Sequence, residues 1–149
     1  KLDLLLSRNM LTAMAESLTD KINTLSKGTL LETLDITITE AQPDRVVGTM
    51  PVTPKVHQPH GLLHGGASVA LAESLGSIAG NLNVPEGFAC VGLEINANHI
   101  KAVKSGLLTG RALPLHRGRQ TQVWEIEIKN EEDKLICVSR LTLAVVPLK

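Results

Sequence analysis

The 149 residues make a chain of one-domain size, with no room for a second domain of ordinary dimensions. Apolar residues are 43% of it, charged residues 20%, and the formal net charge is +0. That is the balance of a globular protein without the electrostatic footprint of a nucleic-acid or anionic-membrane binder. The aromatic residues are Phe88 and Trp124, with no Tyr, so the core must come from Leu, Val, Ile and Ala, and base-stacking platforms are missing.

Leu4, Leu11, Met14, Leu18, Ile22 and Leu25 form one stripe at helical spacing, which predicts an amphipathic helix over Leu2 to Leu25, ended by Lys27-Gly28. Residues 1–28 are therefore expected as an N-terminal helix ahead of a domain over 29–149. Leu34, Ile36 and Ile38 alternate with Asp35, Thr37 and Thr39, a half-buried strand. Pro43-Asp44 turns it into a second strand, Arg45 to Met50, as a hairpin. Pro51 to Leu63, with three prolines and Gly61, reads as loop, and His64 to Asn81 as a helix.

Val91, Leu93, Ile95 and Ala97 then alternate with Gly92, Glu94, Asn96 and Asn98. Strands over Gly106 to Leu115 and Thr121 to Lys129 follow; in the latter Trp124, Ile126 and Ile128 oppose Val123, Glu125, Glu127 and Lys129. A turn at Asn130 to Asp133 leads to a last strand, Lys134 to Val146. The order is helix, two strands, long helix, four strands. It predicts an α+β fold, a mostly antiparallel sheet wrapping one helix. A helix of about 17 residues, about 25 Å long, matches strands of eight to ten residues at about 3.3 Å each.

Between Lys55 and Glu86 the one Asp, Glu, Lys or Arg is Glu73. The helix around it is small or apolar on every side, so one face is expected on the sheet and the other against a second subunit. A carboxylate there costs several kcal/mol unless it is paired, hydrogen-bonded or wet. By itself this allows either a structural Glu73, reaching solvent or capping a backbone donor, or a reactive one. Ser77, one turn on, shares its face. Ahead of it, His64-Gly65-Gly66 sets uncovered backbone N–H groups at a helix N-terminus, suited to an oxyanion or polarised carbonyl, and Gln58 lies in the preceding loop. Donors for a carbonyl oxygen, with a carboxylate that attacks its carbon or deprotonates water, make an acyl-transfer site.

Sharper alternatives lack parts. His57, His60 and His64 have no local acidic or Cys ligand to complete a metal set. The HGGA run is not accompanied by a G-x-S-x-G elbow, and Walker A and dinucleotide-binding glycine motifs are missing. Cys90 and Cys137 show no CxxC or ligand spacing and read as small buried hydrophobes in a reducing compartment. No apolar run reaches the roughly 18–20 residues of a membrane span. The opening KLDLLLSRNMLTAM lacks a signal-peptide cleavage pattern, and VVPLK is not a peroxisomal tripeptide, so the expected location is cytoplasmic.

The segment QPHGLLHGGASVALAESLGS, continued by VGLEINANHIKAVKSG and PLHRGRQTQVWEIEI, resembles the hotdog-fold thioesterases of the 4-hydroxybenzoyl-CoA and phenylacetate-pathway type. The nearest likeness is to 1,4-dihydroxy-2-naphthoyl-CoA thioesterases of menaquinone and phylloquinone synthesis, from about Leu30 onward. The resemblance implies a six-stranded antiparallel sheet around the central helix, dimers with one continuous sheet, usually tetramers, and active sites at the subunit interface. It implies Glu73 as nucleophile or general base, Gln58 and the Gly65 N–H as ligands of the thioester carbonyl, and His64 and Ser77 in support.

For coenzyme A, whose phosphates need cations and donors, the resemblance implies Gly92, the segment His99, Ile100, Lys101 and Ala102, and the turn His116, Arg117, Gly118, Arg119, Gln120 and Thr121. The alternative for any of these charges is ordinary solvated loop. The implied reaction is hydrolysis of an aryl- or acyl-CoA thioester, 1,4-dihydroxy-2-naphthoyl-CoA first, with no metal or redox cofactor. Coenzyme A is part of the substrate, and the implied partners are the acyl-CoA and further copies of the chain, not nucleic acid or membrane. A non-catalytic acyl-CoA-binding module is the first rival. The second is a dehydratase or hydratase, whose Asp/His or His-led pair is missing from the helix interior.

Overall fold

A computed structural model describes residues 17–148. The first part of the predicted N-terminal stripe, Leu4 to Met14, lies outside the described residues. Helix α1 covers Leu18–Leu25 and starts on a capping box: the Ser17 hydroxyl accepts from the Asp20 N–H, and the Asp20 carboxylate accepts from the Ser17 N–H. A short helix follows, α2 (Leu30–Thr33), capped by Thr29.

The strands are β1 (Thr37–Gln42), β2 (Arg45–Val52), β3 (Phe88–His99), β4 (Gly106–Arg117), β5 (Thr121–Lys129) and β6 (Leu135–Pro147), and the long helix α3 is Gly65–Asn81. They form one six-stranded antiparallel sheet in the order β1-β2-β4-β5-β6-β3, wrapped around α3. The α+β expectation holds. Among the described residues no helix is long and apolar enough to cross a membrane.

Three local expectations change. The first strand begins at Thr37, because Leu30 to Thr33 coil into α2 behind the Thr29 cap. The second runs on through Pro51 and Val52, paired with Leu107 and Gly106, so the predicted loop starts later and contains a 3-10 turn at Pro54–Val56. The period-two pattern of β3 breaks at a bulge between Gly92 and Glu94, leaving Val91 46% and Leu93 61% exposed while Ile95 and Ala97 are partly buried.

The core lies between α3 and the concave face of the sheet. Leu71, Ala72, Leu75 and Ala79 meet Met50, Leu108, Trp124, Ile126 and Leu141, all fully buried. Small residues let the helix come close: a Cβ at Gly76 or Gly80 would collide with Leu141 or Leu143. The Trp124 indole N–H donates to Gln122 Oε1 at 2.9 Å, so the largest core side chain satisfies its one polar atom inside. The outer face of α3 is not left wholly to another copy. Helices α1 and α2 cross part of it, and α1 is clamped to β1 by Asn23, which gives and receives one 2.9 Å hydrogen bond with the Ile38 backbone.

Candidate active site

The loop before α3 is pinned at both ends. The Gln58 N–H donates to Leu62 O at 2.8 Å, the Gly61 N–H donates back to Gln58 O at 2.9 Å, and Gly61 takes φ +73. The Gln58 side-chain oxygen accepts from the His60 N–H at 2.8 Å, and its amide nitrogen has no partner among the described residues. His64 is the N-cap of α3: its Nδ1 accepts from the Gly66 N–H at 2.8 Å, while the Ala67 N–H donates to its carbonyl. The Gly65 N–H has no partner among the described residues, so the helix offers it at its positive end.

At position 65 a Cβ would come within 2.7 Å of His99 Nε2, so a larger residue would displace that ring. A cavity of about 370 Å³ joins Gln58, Gly65, His99, Ile100, Lys101 and Ala102. Ser68 also lines it; this residue is 1% exposed and its hydroxyl lacks a hydrogen-bond partner, a feature sequence reading missed among the many Ser and Ala of α3.

Two turns further along α3, Glu73 is half-buried and makes no ion pair or hydrogen bond among the described residues. Burial pushes its carboxyl above the usual carboxylate range. Its Oε1 lies against the β3 backbone at Gly92, where a Cβ would stand 2.7 Å away. Gly92 thus makes room for the carboxylate. Glu73 and Ser77 line a second cavity, about 540 Å³, walled by Ile22, Leu25 and Leu31 from the N-terminal helices and by Ile78 and Leu82. The N-terminal wall was legible only as a helical stripe, not as part of a site.

One chain therefore does not assemble the whole predicted set. Gln58 and Gly65 open on one cavity and Glu73 and Ser77 on another, and Glu73 lies eight positions, about 12 Å of helix rise, beyond Gly65. The two cationic segments also lie apart. His99 touches Gly65 at the start of α3. Arg117 reaches Asn83 Oδ1 at 3.1 Å and Pro43 O at 3.4 Å, just past the end of α3. In that turn the Gly118 N–H donates to Thr121 O, the Gln120 carbonyl accepts from the Val145 N–H, the His116 ring covers Gly118, and Arg119 is exposed. Burial also raises the Cys90 and Cys137 thiols, which keeps them protonated and weakens both as rival nucleophiles.

Comparison with known proteins decides between the readings, for the family profile described as the thioesterase superfamily matches residues 60–137, more than half of the chain. The chain belongs to the thioesterase superfamily. Within that family the sheet wrapped on α3 is the hotdog fold, and the protein is an enzyme, a thioesterase.

The thioesterase is 51% identical to a proofreading thioesterase EntH from Cronobacter turicensis, over 85% of this chain and 92% of that one. It is 47% identical to the 1,4-dihydroxy-2-naphthoyl-CoA hydrolase of Escherichia coli, over 85% and 93%. A crystal structure of a thioesterase from Haemophilus influenzae superposes with a TM-score of 0.85 at 49% identity, covering 89% of this chain and 92% of that one.

Proposed function

We propose that this thioesterase hydrolyses aryl- or acyl-CoA thioesters to the free acid and coenzyme A, with 1,4-dihydroxy-2-naphthoyl-CoA as its foremost substrate. The observation that carries the reading is Glu73: a half-buried carboxylate with no partner among the described residues, on a helix whose first N–H groups include one that also has none among them. In this reading the Gly65 N–H and the Gln58 amide nitrogen hold the thioester oxygen as charge develops on it. Glu73 either takes the proton of a water that attacks the carbonyl carbon, or itself attacks that carbon to form a mixed anhydride that water then hydrolyses; in both routes the C–S bond breaks, the oxygen of water goes to the acid and its released proton to the CoA thiolate. His64 holds the helix start in shape through Gly66, and Ser77 supports the carboxylate's side of the site. Water and these groups supply every step, without metal or redox chemistry.

The separation of the two halves within one chain supports a site completed between copies, Gln58 and Gly65 from one and Glu73 and Ser77 from the other, in a dimer or dimer of dimers. In this reading the His99–Ala102 and His116–Thr121 segments hold the nucleotide. Residues 29–149 are the hydrolytic domain in this reading, and residues 1–28 an added N-terminal element. Two free, buried cysteines suit a reducing, cytoplasmic setting. The likeness to the Escherichia coli hydrolase favours the naphthoyl substrate; other aryl- and medium-chain acyl-CoA thioesters are the second reading, left open by the similar likeness to a thioesterase whose name carries no acyl group.

Thiol release measured with 1,4-dihydroxy-2-naphthoyl-, 4-hydroxybenzoyl-, phenylacetyl- and octanoyl-CoA ranks these substrates, and kcat/KM is expected to be highest for the first. Glu73→Gln should lower kcat roughly a thousandfold, about 4 kcal/mol of barrier, with substrate binding retained. A folded Gln variant working at the wild-type rate would make Glu73 structural and sink the assignment.

A further inference from the structure

His57 stands one residue ahead of Gln58, in a loop that closes upon itself. The His64 N–H donates to Val56 O and the Gln58 N–H to Leu62 O, both at 2.8 Å, and His57 pairs with Leu63 as an isolated bridge between them. Val56 roots this loop in the core, and Val103 does the same for the segment that follows β3. Among the described residues two hydrogen bonds join the loop to that segment. One is main-chain, from the Leu63 N–H to Val103 O at 2.8 Å. The other comes from a side chain: His57 Nε2 lies 2.9 Å from Lys104 O. A carbonyl oxygen only accepts, so this ring nitrogen carries a hydrogen and donates it. One hydrogen bond is a pivot. A second, to the next carbonyl along the segment, removes the rotation that a single bond allows.

We propose that His57 is a positioning residue: through Lys104 O it fixes the Gln58 loop against the His99–Ala102 segment, so that a nucleotide held by that segment places the thioester carbonyl on Gln58 and the Gly65 N–H. The proposal rests on the reading of Gln58 as a ligand of the carbonyl and of His99 to Ala102 as a holder of coenzyme A. Gln58 and that segment line the same cavity, on the two sides that His57 ties together. The nucleotide is remote from the reacting carbon, so its binding energy contributes to the rate only where the frame between the two is stiff. A misplacement of about 1 Å at the reacting group costs on the order of a hundredfold. Loss of the ring leaves Gln58 its own bonds, for those to Leu62, Gly61 and His60 all lie within the loop. The defect then shows only when the carbonyl and the nucleotide are engaged together.

The test uses the full chain and two variants, His57→Phe, which keeps a ring and removes the donor, and His57→Gln, whose amide nitrogen can replace Nε2. Each is assayed on 4-hydroxybenzoyl-CoA and on the 4-hydroxybenzoyl thioester of N-acetylcysteamine, which ends before the nucleotide. Lys104 is exposed, so water takes the ring's place at its carbonyl and the Phe variant folds, with Tm lowered by no more than roughly 2–4 °C. His57→Ala replaces it if the larger ring does not fit. On the CoA thioester the Phe variant should lose about tenfold in kcat with KM kept within about twofold, and on the short thioester its kcat/KM should change less than about twofold. His57→Gln should recover most of the loss. If wild type does not turn over the short thioester, the split on the CoA thioester decides, and a higher KM with kcat kept overturns the proposal. An equal loss on both thioesters, no loss on the CoA thioester, or no recovery with Gln overturns the role of His57 alone. A wild-type chain that hydrolyses no CoA thioester overturns the function and this role together.

Discussion

At the scale of single residues, Glu73 is half-buried by its neighbours, and this has a consequence in pH. Its folded-state pKa is raised by burial, so as nucleophile or base it becomes competent only as pH climbs through that raised value. The acid limb of kcat/KM against pH should therefore lie above the ordinary carboxylate range near pH 4.3. A limb at that ordinary value or below would show a solvated Glu73. The same shift affects stability with a definite sign. The folded chain keeps this proton more tightly than the unfolded chain, so the contribution of Glu73 to stability declines as pH rises from the ordinary carboxylate pKa through the raised one. The residue was legible because nothing else charged stands between Lys55 and Glu86. Its neighbour Gly92 was legible only through resemblance, since a sequence gives no sign that a glycine on one strand faces a carboxylate on a distant helix.

Among the elements, α1 has no buried residue, and only Ile22 packs against the core, so it depends on few contacts. Its hold on the sheet is the Asn23 clamp, in which one amide occupies both backbone groups of Ile38 as a further strand would. Asn23→Ala should cost about 1–2 kcal/mol, since an N–H and a carbonyl on β1 lose their partner. That corresponds to a drop in Tm of roughly 2–8 °C in a thermal melt, and an unchanged Tm would show that α1 is anchored in another way. Strands such as β5 could be read straight off the sequence because Trp124, Ile126 and Ile128 are fully buried on one face. The start of β1 and the course of β3 could not. A Thr29 cap turns an apolar run into a helical turn, and a bulge at Gly92 shifts the period of two partway along the strand. The Ser17-x-x-Asp20 capping box was present in the sequence, but the longer apolar stripe suggested an earlier start.

For the whole molecule, the separation of Gln58 and Gly65 from Glu73 into two cavities matters more for the proposed site than any one contact, and it was invisible in a linear pattern that places the three within sixteen residues. Sites shared between copies behave in a way that sites within one chain do not. Glu73→Gln and Gln58→Ala subunits, each of low activity, should complement when mixed under conditions that let subunits exchange. One of the two sites in each mixed dimer is then intact, giving about a quarter of wild-type activity at equal mixing. No gain on mixing, in protein shown by light scattering to have exchanged, would place the site within one chain. Phe88, Val91 and Leu93, exposed on the outermost strand β3, supply apolar surface for such a contact.

Gly92 belongs both to that outer strand and to the surroundings of Glu73. It sits where the strand kinks, and its missing side chain is the space the carboxylate occupies. For an evolving lineage this couples two kinds of change. A mutation here alters the edge of the molecule and displaces its acid in one step, so drift at this position is penalised twice. The α1 wall carries no such double constraint. A substitution at Ile22 or Leu25 alters the cavity wall alone.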